Sequence, residues 1–80
     1  MTITVRLFAR YGEAAGVPAI EIEARSGSTL AQIWEGVRER VPALRSEERP
    51  LLACDHEYAD PERIVTGVEE IAAFPPVSGG

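Results

Sequence analysis

Apolar and polar positions alternate at both ends of the chain and take a helical spacing between them. From Thr2 to Ala9, Ile3, Val5 and Leu7 fall on one face and Thr4, Arg6 and Phe8 on the other, the two-residue period of a strand. Phe8 is thereby an aromatic on the face expected to be wet. Tyr11-Gly12-Glu13-Ala14-Ala15-Gly16, bounded by glycines, reads as a turn or short irregular link. Alternation resumes over Ala19 to Ala24, with Ile20 and Ile22 inward and Glu21 and Glu23 outward, so the two segments make a hairpin. After Ser26-Gly27-Ser28, Thr29 and Gln32 have capping-box spacing. Leu30, Ile33, Trp34, Val37 and Val41 then recur at helical intervals as one apolar stripe. Gly36 costs this helix about 1 kcal/mol relative to alanine, which close packing against a sheet would explain. Pro42 stops the helix near Arg40.

The second half is more broken. Ala43 to Pro50 is a polar loop. Leu51-Leu52-Ala53-Cys54 reads as a buried strand, Asp55-His56 as a two-residue turn and Glu57-Tyr58 as the return strand. Asp60 to Val65 suggests a turn with one short helical turn. In the last strand, Glu70 to Phe74, Ile71 and Ala73 share one face and Ala72 and Phe74 the other. A single apolar stripe needs a single sheet face to cover it. The expected fold is therefore α+β: a β-grasp layout, a mixed sheet of about five strands with its first and last strands adjacent in the middle and one main helix on one face. The expected division is a domain over residues 1–74 followed by an extended tail, residues 75–80.

Composition narrows the chemistry. Eighty residues form one domain with a small core and no room for a large cleft. A net charge of −5, without a basic stripe, argues against nucleic acid as a partner. No apolar run is long enough to span a membrane, and no secretory leader is visible. One cysteine excludes an intrachain disulfide framework, so a cytoplasmic location is expected. All eight basic residues are arginine, so any Schiff base or isopeptide must use a partner's lysine.

Conventional catalytic sites are hard to build from these residues. A Cys54–His56 thiolate pair is conceivable on a strand, but Cys54 follows Leu51-Leu52-Ala53 and reads as a core residue. No metal site is expected, since zinc needs three or four ligands and only these two N/S donors exist. Glu47-Glu48 and Glu69-Glu70 read as solvated faces. What remains is the ending Phe74-Pro75-Pro76-Val77-Ser78-Gly79-Gly80. The terminal glycines carry no side chain and can thread a narrow channel. The prolines stiffen the stem, and the tail reaches roughly 20 Å when fully extended.

Leu7-Phe8-Ala9-Arg10, Glu13, Gly16, Thr29 and the run from Glu70 to Gly80 together resemble the small, sulfur-carrying subunit of molybdopterin synthase, a relative of the thiamine sulfur carrier and of ubiquitin. The resemblance covers nearly the whole chain. It departs from the family pattern at Gly12, at Asp55-His56 and at Thr66-Gly67-Val68-Glu69-Glu70. It implies that an activating enzyme uses ATP to adenylate the Gly80 carboxylate, the reacting group, and that a sulfur donor enzyme then converts it to a thiocarboxylate. It further implies that Pro75, Pro76, Val77, Ser78 and Gly79 thread into a large catalytic subunit, within a heterotetramer. There the sulfur passes to cyclic pyranopterin monophosphate to build the molybdopterin dithiolene. On this reading the chain is a non-catalytic donor subunit that binds no cofactor, and whether it counts as an enzyme is left open. Phe8 and Phe74, both off the core face, are expected to dock the partner beside the tail root. The alternatives are a carrier for tRNA thiolation, thiamine or cysteine synthesis, and a β-grasp interaction module with no covalent chemistry.

Overall fold

The computed structural model describes residues 1–76. Its elements in chain order are β1 (Thr2–Leu7), α1 (Arg10–Ala15), β2 (Ala19–Glu23), α2 (Leu30–Arg40), a 3₁₀ turn (Pro42–Leu44), β3 (Leu51–Cys54), β4 (Glu57–Tyr58) and β5 (Ile71–Phe74). The strands form one sheet in the order β2-β1-β5-β3-β4. β1 and β5 run parallel in the middle, with Val5 level with Ile71 and Leu7 level with Ala73. The other pairings are antiparallel. This is the expected β-grasp.

The alternation of β1 places Ile3, Val5 and Leu7 on the inner face, where they are buried with Ile22, Leu52, Cys54, Ile71 and Ala73. Opposite them lies the helical stripe of Leu30, Ile33, Trp34 and Val37. Ile20 is only half-buried, because β2 is an edge strand. α2 starts in a complete capping box: the Thr29 hydroxyl accepts from the Gln32 N–H, and the Gln32 side chain accepts from the Thr29 N–H. Gly36 sits where the helix meets β2, and a Cβ there would lie 2.8 Å from Ile22 Cγ2.

Three segments differ from the sequence reading. The stretch read as a polar loop from Ala43 begins within the 3₁₀ turn and buries Leu44 in the core. Tyr11 to Ala15 is helical, not an irregular link. Glu13, Ala14 and Ala15 favour helix, and Gly16 ends it at φ 75° with its N–H on the Gly12 carbonyl. This short helix buries Tyr11 completely and brings its ring within 5.0 Å of Trp34. The segment from Asp60 to Val65 has the expected turn, with the Arg63 N–H donating to Asp60 O, but no helical turn. It runs along the start of α2, where the Leu30 N–H donates to Arg63 O and the Val65 N–H to Ser28 O.

Candidate functional site

The outer face of the sheet carries Phe8 and Phe74, the two aromatics expected to dock a partner. Phe8 directly follows β1 and continues its ladder, its N–H donating to Ala73 O at 3.1 Å. Phe74 ends β5. The two rings stack with centroids 4.5 Å apart and planes 11° from parallel. Tyr58 on β4 meets Phe74 edge-on at 6.1 Å. Ala53 and Ala72 lie opposite each other in the register, and their short side chains floor a depression of about 280 Å³ between the rings.

A charged cluster closes the other side of that depression. Glu70 accepts from Arg6 Nη1 at 3.0 Å and lies 3.1 Å from His56 Nε2. The Arg6 guanidinium is also 5.4 Å from the centre of the Phe8 ring. Asp55 and His56 form the β3–β4 turn with φ of 50° and 70°, left-handed at both positions although neither is glycine. Asp55 Oδ1 accepts the Glu70 N–H, tying this turn to the start of β5. Sequence reasoning gave Arg6 and Tyr58 no functional role, weighed His56 only as a partner of Cys54, and read Glu70 as part of a solvated face. Arg6 was legible as an outward position by alternation, whereas the Arg6–Glu70 and His56–Glu70 pairs arise only from tertiary packing.

The carboxylates read as solvated faces divide in two, and only Glu48 fits that description well. Glu47 accepts from Arg10 Nη2 at 2.9 Å, and that bond holds its carboxyl below the usual range. Its backbone carbonyl accepts from Trp34 Nε1 at 2.7 Å. Burial pushes the Tyr11 hydroxyl up to about 12, with the nearby Glu47 charge adding to it, although this hydroxyl has no partner within ordinary hydrogen-bond geometry. At Glu69, desolvation pushes the carboxyl up. Hydrogen bonds from the backbone N–H groups of Thr66 and Gly67 and from the Thr66 hydroxyl outweigh it and hold the pKa at about 2. Glu69 thus caps the loop that delivers β5.

Cys54 belongs to the core, where burial pushes its thiol up, while His56 lies on the outer face beside Glu70. The structure brings no thiolate pair together. Among the described residues no group of three or more metal-ligating side chains occurs, and no helix is long and apolar enough to cross a membrane. Pro75 and Pro76 leave the sheet directly after the stacked Phe74. Val77, Ser78, Gly79 and Gly80 lie outside the described residues.

A five-stranded mixed sheet, one long helix on its inner face and an aromatic patch outside define a ubiquitin-like β-grasp domain. Among solved structures, the chain is similar to SAMP1 from Haloferax volcanii (TM-score 0.87, 25% identity, 100% of each chain covered). It also resembles a chain from the Helicobacter pylori complex of subunits 1 and 2 of molybdopterin-converting factor (TM-score 0.65, 18% identity, 100% of each chain covered). The chain belongs to the ThiS family, whose profile matches residues 5–80, and so to the ubiquitin-like sulfur carriers. It is 37% identical over 79 residues to the molybdopterin synthase sulfur carrier subunit of Arabidopsis thaliana, spanning 98% of this chain and 82% of that protein.

Proposed function

We propose that this chain is the sulfur carrier of a molybdopterin synthase. The near full-length 37% identity to the Arabidopsis subunit carries this reading. A free α-carboxyl is ionised at neutral pH and resists nucleophiles. The Gly80 carboxylate therefore first attacks the α-phosphate of ATP on an activating enzyme, releasing pyrophosphate and leaving an acyl-adenylate. A sulfur donor enzyme then supplies sulfur at the sulfide level, which attacks the acyl carbon, displaces AMP and leaves a thiocarboxylate. The tail, Pro75 to Gly80, inserts into a large catalytic subunit, and the sulfur passes to cyclic pyranopterin monophosphate. That acceptor is anionic and this chain carries a net charge of −5, so the cations that hold the acceptor belong to the large subunit.

The stacked Phe8 and Phe74 form the docking patch at the tail root. Phe74→Ala removes an aromatic pair worth about 1 kcal/mol to the fold. It is expected to weaken large-subunit binding by about tenfold in calorimetry, as loss of a central aromatic anchor does. Unchanged affinity removes Phe74 from the interface. The carrier chemistry is tested by intact-mass measurement after incubation with activating enzyme, ATP and sulfur donor. Exchange of one oxygen for sulfur, lost when Gly80 is deleted, supports it; no mass change with the cognate enzymes overturns it.

A second reading keeps the carrier and changes its client, because the likeness to SAMP1 is also full-length. Pull-down of the thiocarboxylated chain distinguishes the two by whether the molybdopterin large subunit or another acceptor is retained.

A further inference from the structure

An activated carboxyl at Gly80 reacts with whichever amine or thiol reaches it first, including those of its own chain. The fold removes each such group from reach. The α-amino group of Met1 is held by a 2.8 Å hydrogen bond to Ala24 O at the start of β1. Because β5 runs parallel to β1, the tail leaves at the opposite end of the sheet, level with Phe8. Seven residue steps of about 3.3 Å place Met1 about 23 Å from Phe8 along the strand. The six tail residues span at most about 20 Å, and only by doubling straight back at Pro75-Pro76. Cys54, the sole thiol, is 1% exposed on the inner face of the sheet.

Of the cations within the tail's span, Arg6 is the one that lines the aromatic depression on the outer face. It pairs in register with Ala72, two residues before Phe74, on the neighbouring strand and on the outer face. That puts it about 8 Å from the tail root, well inside the tail's span. Its cation lines the aromatic depression and pairs with Glu70. A guanidinium supplies that charge and stays protonated, with no free electron pair for acylation. A lysine would supply the same charge and an acylable amine.

Resting on the reading that Gly80 is activated, we propose that Arg6 keeps a cation beside the tail root in a form the tail cannot acylate. The chain is thereby a donor only, unable to close on itself. With lysine at position 6, the ε-amine attacks the Gly80 carbonyl carbon. A C–N bond forms, the bond to the leaving group breaks, that group departs with the electron pair, and the amine proton passes to solvent. The product is a dead-end lariat.

The test bypasses the activating enzyme, so its outcome is separate from that of the carrier reading. The whole chain is prepared with a Gly80 thioester by intein cleavage and held in mildly alkaline buffer. Wild type is expected to hydrolyse without forming a ring. Arg6→Lys is expected to lose the thiol without gaining water, with peptide mapping joining Gly80 to residue 6. Arg25→Lys, which follows Ala24 at the Met1 end of the sheet, is expected to behave as wild type. Circular dichroism checks that each variant folds, and added free amine checks that each thioester is live. A cyclic product in wild type, or a live, folded Arg6→Lys chain that only hydrolyses, overturns the proposal.

Discussion

Replacing Gly36 by alanine sets two opposing effects against each other, and the structure decides the sign. Helix propensity alone favours alanine by about 1 kcal/mol at an interior position. The new methyl, however, would lie 2.8 Å from Ile22 Cγ2, against about 3.5–4.0 Å for an ordinary carbon contact. Cγ2 is a branch methyl set by χ1 alone, so Ile22 can yield only by leaving its rotamer or by moving β2. Rotamer strain costs about 0.5–1.5 kcal/mol, and overpacking of a filled core about 1–3 kcal/mol. β2 is an edge strand and gives way more readily than a central one, which favours the low end. The expected net effect is a loss of about 1 kcal/mol, read as a lower urea midpoint at unchanged slope. In an Ile22→Ala background the obstructing methyl is gone, and the same substitution should stabilise by about 1 kcal/mol. A stabilising Gly36→Ala in the wild-type chain, or no reversal of sign in the Ile22→Ala background, refutes the steric account.

Two further substitutions test the loops that frame the outer face. Ala9 joins Phe8 to α1 at φ 51°, ψ −133°, a conformation suited to glycine. Ala9→Gly should therefore raise stability by about 1 kcal/mol in thermal or urea unfolding, and a lower midpoint counts against strain at this residue. Glu69 has a folded pKa of about 2 against an ordinary 4.5. Its contribution is present above about 4.5 and lost as pH falls through about 2. Discounted for its solvent exposure, Glu69→Gln should cost about 1 kcal/mol at neutral pH. That deficit should vanish near the lower pKa, and a deficit of constant size across the acid range would show that charge plays no part.

Where period and punctuation act over neighbouring residues, the chain was legible. The alternation of β1 and β5 placed Phe8 and Phe74 outward, and the Thr29 capping box and Pro42 bounded α2 closely. The length of Asp55-His56 fixed a two-residue turn despite its lack of glycine. What escaped depended on partners distant in sequence. Arg6 and Glu70 meet only because β1 and β5 lie side by side, and Arg10 finds Glu47 only once α1 packs near the 3₁₀ turn. Tyr11 was missed because Gly12 and a length of six residues make a poor helix in isolation. Packing of the ring against Trp34 compensates, and Gly16 as a left-handed cap was the available signal.

The parallel pairing of β1 with β5 also bears on how the protein is made. Of the five strands β1 is synthesised first, yet its middle-of-sheet neighbour is the last of the five to be translated. Until Ile71 to Phe74 has emerged, β1 has only β2 beside it, and β3 and β4 have no route into the sheet. Pairings this distant in sequence form slowly and late. A chain broken off before β5 lacks the strand that joins the two halves of the sheet. It leaves apolar side chains exposed and is open to aggregation or proteolysis. Acquisition of the fold therefore selects for copies in which translation has reached Phe74, the residue before Pro75-Pro76.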